Sequence, residues 1–435
     1  MEKYRKVLIG AAIFTVLYLG ILLLIMNGVF LPVVKKINGI EEKGQTLEEL
    51  TIPENVKVVG IGEASHGNAE FQTAKLLMLR KLVETGKCHS IAFEMSPGEA
   101  AEINDAIHSE DVDINELMGR SDYPLYDTQQ MIELVTWMRE YNKGKTVEDS
   151  LMFYGVDMQG YSRDFSYIEM FAKNHTELFT DDEIALLDQM VNDENYDISS
   201  QHEFIETLVQ RLEAYADTAD IEAGQSDKYN YKYASLVAQI ALQGLNAPDF
   251  DQDASEYSQY RDRNMAENLK CFYDIEEERG YSQILITAHN GHTMKGKQEG
   301  YNAMAMGGFI DEIFNGSYFS VGTAYYNACV NIHVSGTFDD NYLRDDFTFC
   351  SDDILAYQAK YFDGGFYCLS FDEITDKDSE LYRRINKPGF MGLVGEGYSS
   401  MAGIQKTDRV KLVQGDRFDA VMYYYDVTPI RVLNY

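Results

Sequence analysis

VKVVGIGEASHGNAEFQTAKLLMLRKLVE, residues 56–84, decides the fold. VKVVGIG at 56–62 is a short apolar, β-branched run closed by glycines, and Phe71, Leu76, Leu79, Leu82 and Val83 then recur at helical spacing, so the stretch reads strand, loop, helix. The alternation repeats downstream: HSIAFE at 89–94, a helix over Glu99–Ile107, another over Thr128–Tyr141, then LMFYGVD at 151–157. Strands alternating with helices predict parallel βαβ units. From about 180 to 246 the pattern is helical and acidic throughout, a helical insertion. A helix over Tyr257–Arg279 leads into SQILITAH at 282–289, YFSVGTAYY at 318–326 continues the sheet, and short aromatic and β-branched runs after Cys329 supply further strands and loops. The expected fold class is α/β: a mainly parallel β-sheet flanked by helices, with that insertion and an N-terminal transmembrane helix.

The anchor is expected from Val7 to Phe30, where no charge interrupts a run long enough to cross a bilayer. Lys3, Arg5 and Lys6 before it favour a cytoplasmic N-terminus, although Lys35 and Lys36 follow it. This predicts residues 1–36 as a single-pass anchor in the cell membrane and 37–435 as an extracytoplasmic body. A cleaved signal peptide is the competing reading, but the run exceeds the usual apolar region of about 7 to 15 residues and no A-x-A site closes it. Residues 35–55 read as a juxtamembrane segment with a helix near Thr46–Leu50, and the folded body as starting near Val56. Lys+Arg of 37 against Asp+Glu of 71 gives a net charge of −34, which makes nucleic acid an improbable partner. The five cysteines lack CxxC spacing, and a Cys350–Cys368 bridge is one option outside the cell.

In parallel sheets ligands bind outside the carboxyl ends of the strands. The predicted strands end at Glu63 and His66, at Glu94, at Asp157, and at His289 and His292. Two loops, GEASHG and HNGH, thus bring imidazoles to one rim beside carboxylates able to fix a tautomer. Such an imidazole can take a proton from water attacking a carbonyl, and a second can polarise that carbonyl or protonate the leaving oxygen. Gly62 and Gly67 permit a tight path, and helix 68–84 is expected to offer free N–H groups to developing negative charge.

GIGEASHG followed by EFQTAKLLMLRKLVE, then IAFE, FYGVD, RDRNMAENL at 261–269 and AHNGH at 288–292, in that order, resemble the erythromycin esterase family over most of residues 56–326. The resemblance implies a metal-independent esterase fold without cofactor, with His66 as general base on water and Glu63, Glu94, His289 and His292 as its other site positions. Arg261 matches the family's RDxxMAxN segment and becomes a candidate for ordering substrate or site, and Asp157, at its strand end, is a second substrate-binding candidate. An ester or macrolide lactone is the small-molecule partner implied. Ser65 stands where the family commonly has Thr, Gly291 where it often has Ala, and Met95-Ser96-Pro97 follows Glu94 in place of an acidic, Trp-bearing stretch. These departures bear on the substrate more than on the chemistry.

Two other classes compete. Three histidines and two glutamates would also suit a metal-dependent hydrolase, though no HExxH helix is present. A non-enzymatic surface protein could use the 31 Tyr and 22 Phe as stacking platforms. No GxSxG or GxxxxGK[ST] occurs, which disfavours a serine esterase and an NTPase. His89, His108, His175, His202 and His333 fall outside the motifs and read as structural.

Overall fold

A computed structural model describes residues 10, 11, 13–22, 34–121, 123–193, 195–218, 225–298, 302–335, 343–399 and 407–433. The strands are β1 Val58–Glu63, β2 Cys88–Phe93, β3 Met152–Gly155, β4 Gln283–His289, β5 Tyr318–Val334, β6 Arg344–Cys350, β7 Phe366–Ser370, β8 Gly389–Gly392, β9 Gly397–Tyr398, β10 Arg409–Leu412 and β11 Ala420–Val427. The main sheet has the order β3-β2-β4-β1-β5-β11-β7, with β6 and β9 also on β5 and a separate β8–β10 pair. From β3 to β11 all neighbours are parallel, and antiparallel β7 closes one edge.

Both faces of the central strands are buried, and their side chains divide with a period of two. Val59, Ile91, Phe93, Phe153 and Leu285 meet one apolar cluster with Met78, Leu79, Leu134 and Met138 from the Ala69–Val83 and Gln129–Asn142 helices. Val58, Ala92, Tyr154, Ile284 and Ile286 meet the other, which the helices between β3 and β4 cover. The helices expected within 180–246 are Asp181–Asn192, His202–Thr218 and Gln225–Leu245. Leu187, Leu208, Leu212, Val237 and Ile240 join them to this same core, so they form an integral layer.

Two local expectations change. Thr46–Leu50 is a turn: Glu49 and Thr46 make the reciprocal bonds of a helix start, but Pro53 follows too soon for a helix to propagate. The body also begins well before Val56, since Ile37, Ile40, Leu47 and Leu50 are buried in it and Gln45 pairs with Cys368 of β7. All five cysteines are free, Cys350 and Cys368 included. Half of the expected membrane span, residues 7–9, 12 and 23–30, falls outside the described residues. Residues 10, 11 and 13–22 are helical, and among the described residues no helix is long and apolar enough to cross a membrane.

Candidate active site

Strand register builds the site. Glu63, the last residue of β1, is the direct partner of His289, the last residue of β4, so the two loops leave the sheet side by side. Gly62 makes this possible, because Asn290 of the HNGH turn and Thr293 just after it lie where its Cβ would be. Glu63 is buried, and its Oε1 meets His66 Nδ1 at 3.0 Å. Lys75 Nζ lies 3.2 Å from either oxygen of the same carboxylate, and Gln72 Nε2 donates to Oε2 at 3.3 Å. Burial pushes the Glu63 carboxyl up, but the Lys75 ammonium and His66 outweigh it, and the group sits below the ordinary carboxylate value. Burial disfavours charge on His66 as well. The hydrogen bond that His66 Nδ1–H donates to Glu63 and the carboxylates of Glu63, Glu94 and Glu396 more than offset this, and His66 lies above the ordinary imidazole value. With Nδ1 held by Glu63, Nε2 is the nitrogen available to the cavity that His66 lines.

On the other side, Arg261 of the Ala254–Glu278 helix ties three strand ends together. Its Nε and Nη2 donate to Asp157 Oδ1 and Oδ2 at 3.0 and 2.5 Å, and Nη2 also to Glu94 Oε1 at 2.7 Å. Glu94 Oε2 accepts the backbone N–H of His289 at 2.9 Å, which fixes the HNGH turn against β2. Burial works against the charge on Glu94, yet His292, Arg261 and His66 hold it well below the usual carboxylate range. His292 Nδ1 donates to buried Asp262 Oδ1 at 2.7 Å, while its Nε2 accepts from Arg261 Nη1 at 3.2 Å and lies 3.3 Å from Glu94 Oε1. Burial pulls this ring down, and Asp262 and Glu94 bring it above the ordinary imidazole value. Asp262 is itself fixed by Gln298 Nε2 at 2.6 Å and Met306 N–H at 2.7 Å.

His289 differs. Its Nδ1 accepts the Gly291 N–H at 3.3 Å, so its Nε2–H donates to the Val394 carbonyl at 3.2 Å. Burial, with the positive potential of His66 and His292, depresses its pKa to about 3, so the ring is neutral. The His66 and His289 rings lie 5.1 Å apart, centroid to centroid.

His66, Glu94, Asp157, Arg261, His289 and His292 line one cavity of about 660 Å³, and Glu63 stands behind His66. Tyr123, Pro124, Leu125 and Tyr126 also line the cavity, as do Gly395 and Glu396. The 393–396 segment reaches the site because Val394 N–H donates to the Ala64 carbonyl. Sequence reasoning missed Lys75, Asp262, Val394 and Glu396. A signal existed for the first two: Lys75 occupies the buried stripe of its helix with Phe71, Met78 and Leu82, and Asp262 that of its own with Met265, Leu269 and Phe272. The expected free helix N–H groups are not all available, for Ala69 N–H donates to the Thr428 carbonyl at 3.0 Å. Among the described residues no group of three or more His, Cys, Asp or Glu is placed to hold a metal ion.

A family model described as Erythromycin esterase matches residues 83–427. The chain belongs to the erythromycin esterase family. The match begins downstream of Glu63, His66 and Lys75, so their place in this erythromycin esterase family site rests on the geometry. Erythromycin esterase type II of Escherichia coli is 22% identical over 302 residues, 63% of this chain and 70% of that protein. A putative hydrolase of Bacillus subtilis, YbfO, is 22% identical over 300 residues, 62% of this chain and 65% of that one. A Bacillus cereus protein of known structure superposes with a TM-score of 0.67 at 19% identity, covering 91% of this chain and 97% of its own. A mutant of the erythromycin esterase EreC in its open conformation gives 0.57 at 16% identity, covering 86% and 91%. Family membership places the chain among hydrolases, and the structural likenesses show the shared fold.

Proposed function

We propose that the chain hydrolyses a carboxylic ester or macrolide lactone with His66 as general base. The observation that carries this reading is the buried chain from Lys75 through Glu63 to His66, which fixes Nδ1 and leaves Nε2 for the cavity. Water bound there loses a proton to Nε2 as its oxygen attacks the acyl carbon. The Arg261 guanidinium stands on the same cavity to meet the oxyanion, beside the neutral His289 ring whose Nε2–H is held by Val394. Collapse of the tetrahedral intermediate breaks the acyl–oxygen bond, and the proton on His66 passes to the leaving alkoxide, giving acid and alcohol.

His66→Ala is expected to abolish turnover of erythromycin or simple esters, followed by mass spectrometry for gain of one water, with an unchanged circular dichroism spectrum. Full activity in that variant sinks the reading. Activity that a chelator removes would replace it with the metal-dependent alternative.

Residues 7–30 are read as a single-pass anchor with the body outside the cytoplasm. Supporting this are the uncharged run after Lys3, Arg5 and Lys6 and the exposure of Ile13, Phe14, Val16, Leu17 and Ile21, an apolar surface that calls for a cover. Release of the full chain from membranes by alkaline carbonate would refute it.

A further inference from the structure

A second cavity of about 620 Å³ shares no lining residue with the first. It lies between the start of the Ile354–Gln358 helix, the Glu380–Ile385 helix and the β8–β10 pair. Its charges do not cancel. Glu380 pairs with Arg384 at 3.0 Å and Asp352 with Arg409. Asp353 is buried and accepts Leu355 N–H, Ala356 N–H and Gln414 Nε2 at 2.8, 3.2 and 2.9 Å, and burial pushes its carboxyl up to about 7. Arg383, Lys387 and Lys411 remain, and among the described residues none of them has a carboxylate within ion-pair distance. On a chain of net charge −34 this local excess of cations runs against the protein's overall field.

Its position suggests what it meets. Gln358, at the far end of the Ile354–Gln358 helix, donates to the Lys35 carbonyl at 3.2 Å and accepts the Ile37 N–H at 2.9 Å. A helical rise of about 1.5 Å per residue puts Ile354, on the cavity wall, about 6 Å along from that junction. One wall of the cavity therefore stands about one helical turn from residues 35–37, which follow the apolar N-terminal run in sequence. Lys35 and Lys36 are exposed there, and Phe390 is exposed on the cavity wall.

We propose that this cavity binds the phosphate of an anionic phospholipid headgroup through Arg383, Lys387 and Lys411, setting the catalytic body against the membrane. The arginine offers a planar fork and the lysines point charges, a combination suited to phosphate oxygens. The lipid source rests on the reading of residues 7–30 as an anchor, whereas the anion site rests on the cavity alone.

The test uses the full chain in neutral detergent, titrated with phosphatidylglycerol, phosphatidylcholine or inorganic phosphate and read by native mass spectrometry. Phosphatidylglycerol is expected to bind about tenfold or more tighter than phosphatidylcholine, a preference that Lys387→Gln/Lys411→Gln removes. Both lysines are exposed and lie outside the His/Glu cavity, so the fold and site are expected to be retained. Equal binding of the two lipids, or a preference that survives the double substitution, overturns the proposal. Displacement of phosphatidylglycerol by low-millimolar inorganic phosphate overturns the lipid assignment in favour of a soluble phosphate. Carbonate extraction judges the anchor separately, since failure there leaves binding in detergent unaffected.

Discussion

Lys75 Nζ lies 3.2 Å from Glu63 Oε1, the oxygen that also holds His66 Nδ1 at 3.0 Å. All three groups are buried or nearly so, and the ammonium also lies 5.1 Å from the Phe93 ring centroid and 5.3 Å from that of Tyr126. Burial lowers the Lys75 pKa, and Glu63 opposes that fall. The lysine neutralises the carboxylate that orients the base, and so sets how strongly that carboxylate favours the imidazolium. Lys75→Met should leave Glu63 buried without its cation and cost about 3–5 kcal/mol, measured by urea unfolding. A loss below about 1 kcal/mol would mean the pair contributes no more than a surface salt bridge.

As the proposed base, His66 has a predicted pH signature. An unfolded imidazole titrates near 6.5, and His66 in the fold lies above that value. Its contribution to stability is therefore fully present below about pH 6.5 and lost as pH rises through the folded pKa. The neutral form needed for catalysis appears over that same rise, so the acidic limb of kcat/KM should lie above 6.5. Glu63→Gln removes the main raising influence and leaves burial less opposed. The His66 resonance in a histidine NMR titration should then move to lower pH, and an unmoved midpoint would show that Glu63 does not control the ring.

His289 should behave oppositely, with no titration between pH 5 and 8, because its pKa lies at about 3 and both ring nitrogens are engaged. Here the unfolded state binds the proton first, so this group withdraws stability as pH falls from about 6.5 toward 3. A His289 midpoint near 6.5 in the same NMR experiment would exclude it as a fixed neutral donor.

The parts of this site that the sequence showed are those next to a strand end. Glu63, His66, Glu94, Asp157, His289 and His292 each follow an apolar run whose period marks it as a strand, and parallel pairing then brings those ends to one rim. Arg261 came from its motif, without a partner. Lys75 and Asp262 were hidden because a charged residue in an apolar stripe reads as interruption unless its buried partner is known. Val394 and Glu396 lie in a loop whose place depends on pairing with Ser65 and on β9 joining β5, contacts between residues about 330 and 64 apart along the chain that local periodicity does not encode. The C-terminal strands follow the same rule: short runs announced extended structure but not that β11 would insert between β5 and β7.

Arg261→Lys tests the ties across the rim. The guanidinium makes a two-point contact with Asp157 while reaching Glu94 and His292, and a lysine ammonium cannot span those positions at once. Glu94 would then hold the His289 backbone with its own orientation loosened, and misplacement of a reacting group by about 1 Å can cost about 100-fold in rate. The expected result is a fall of that order in kcat with a smaller change in KM. A loss confined to KM would instead assign Arg261 to substrate binding.

Gly62→Ala asks whether contact between the two loops is required. A Cβ there would lie 2.3 Å from both Asn290 Oδ1 and Thr293 Oγ1 and 3.1 Å from the Asn290 Cα. Asn290 cannot readily give way, since its Nδ2 donates to the Thr323 carbonyl at 2.8 Å and its Oδ1 accepts the Thr323 N–H at 3.3 Å. Relief must come from parting β1 and the HNGH turn, which separates His66 from His289. The substitution should cost about 1–3 kcal/mol in urea unfolding and lower kcat. Gly395→Ala is the matched control: Gly395 also borders the cavity, but its added Cβ would meet nothing within 4 Å, so stability should stay within about 0.5 kcal/mol of the parent. Equal effects of the two substitutions would mean that the loop–loop contact is not what holds the histidines together.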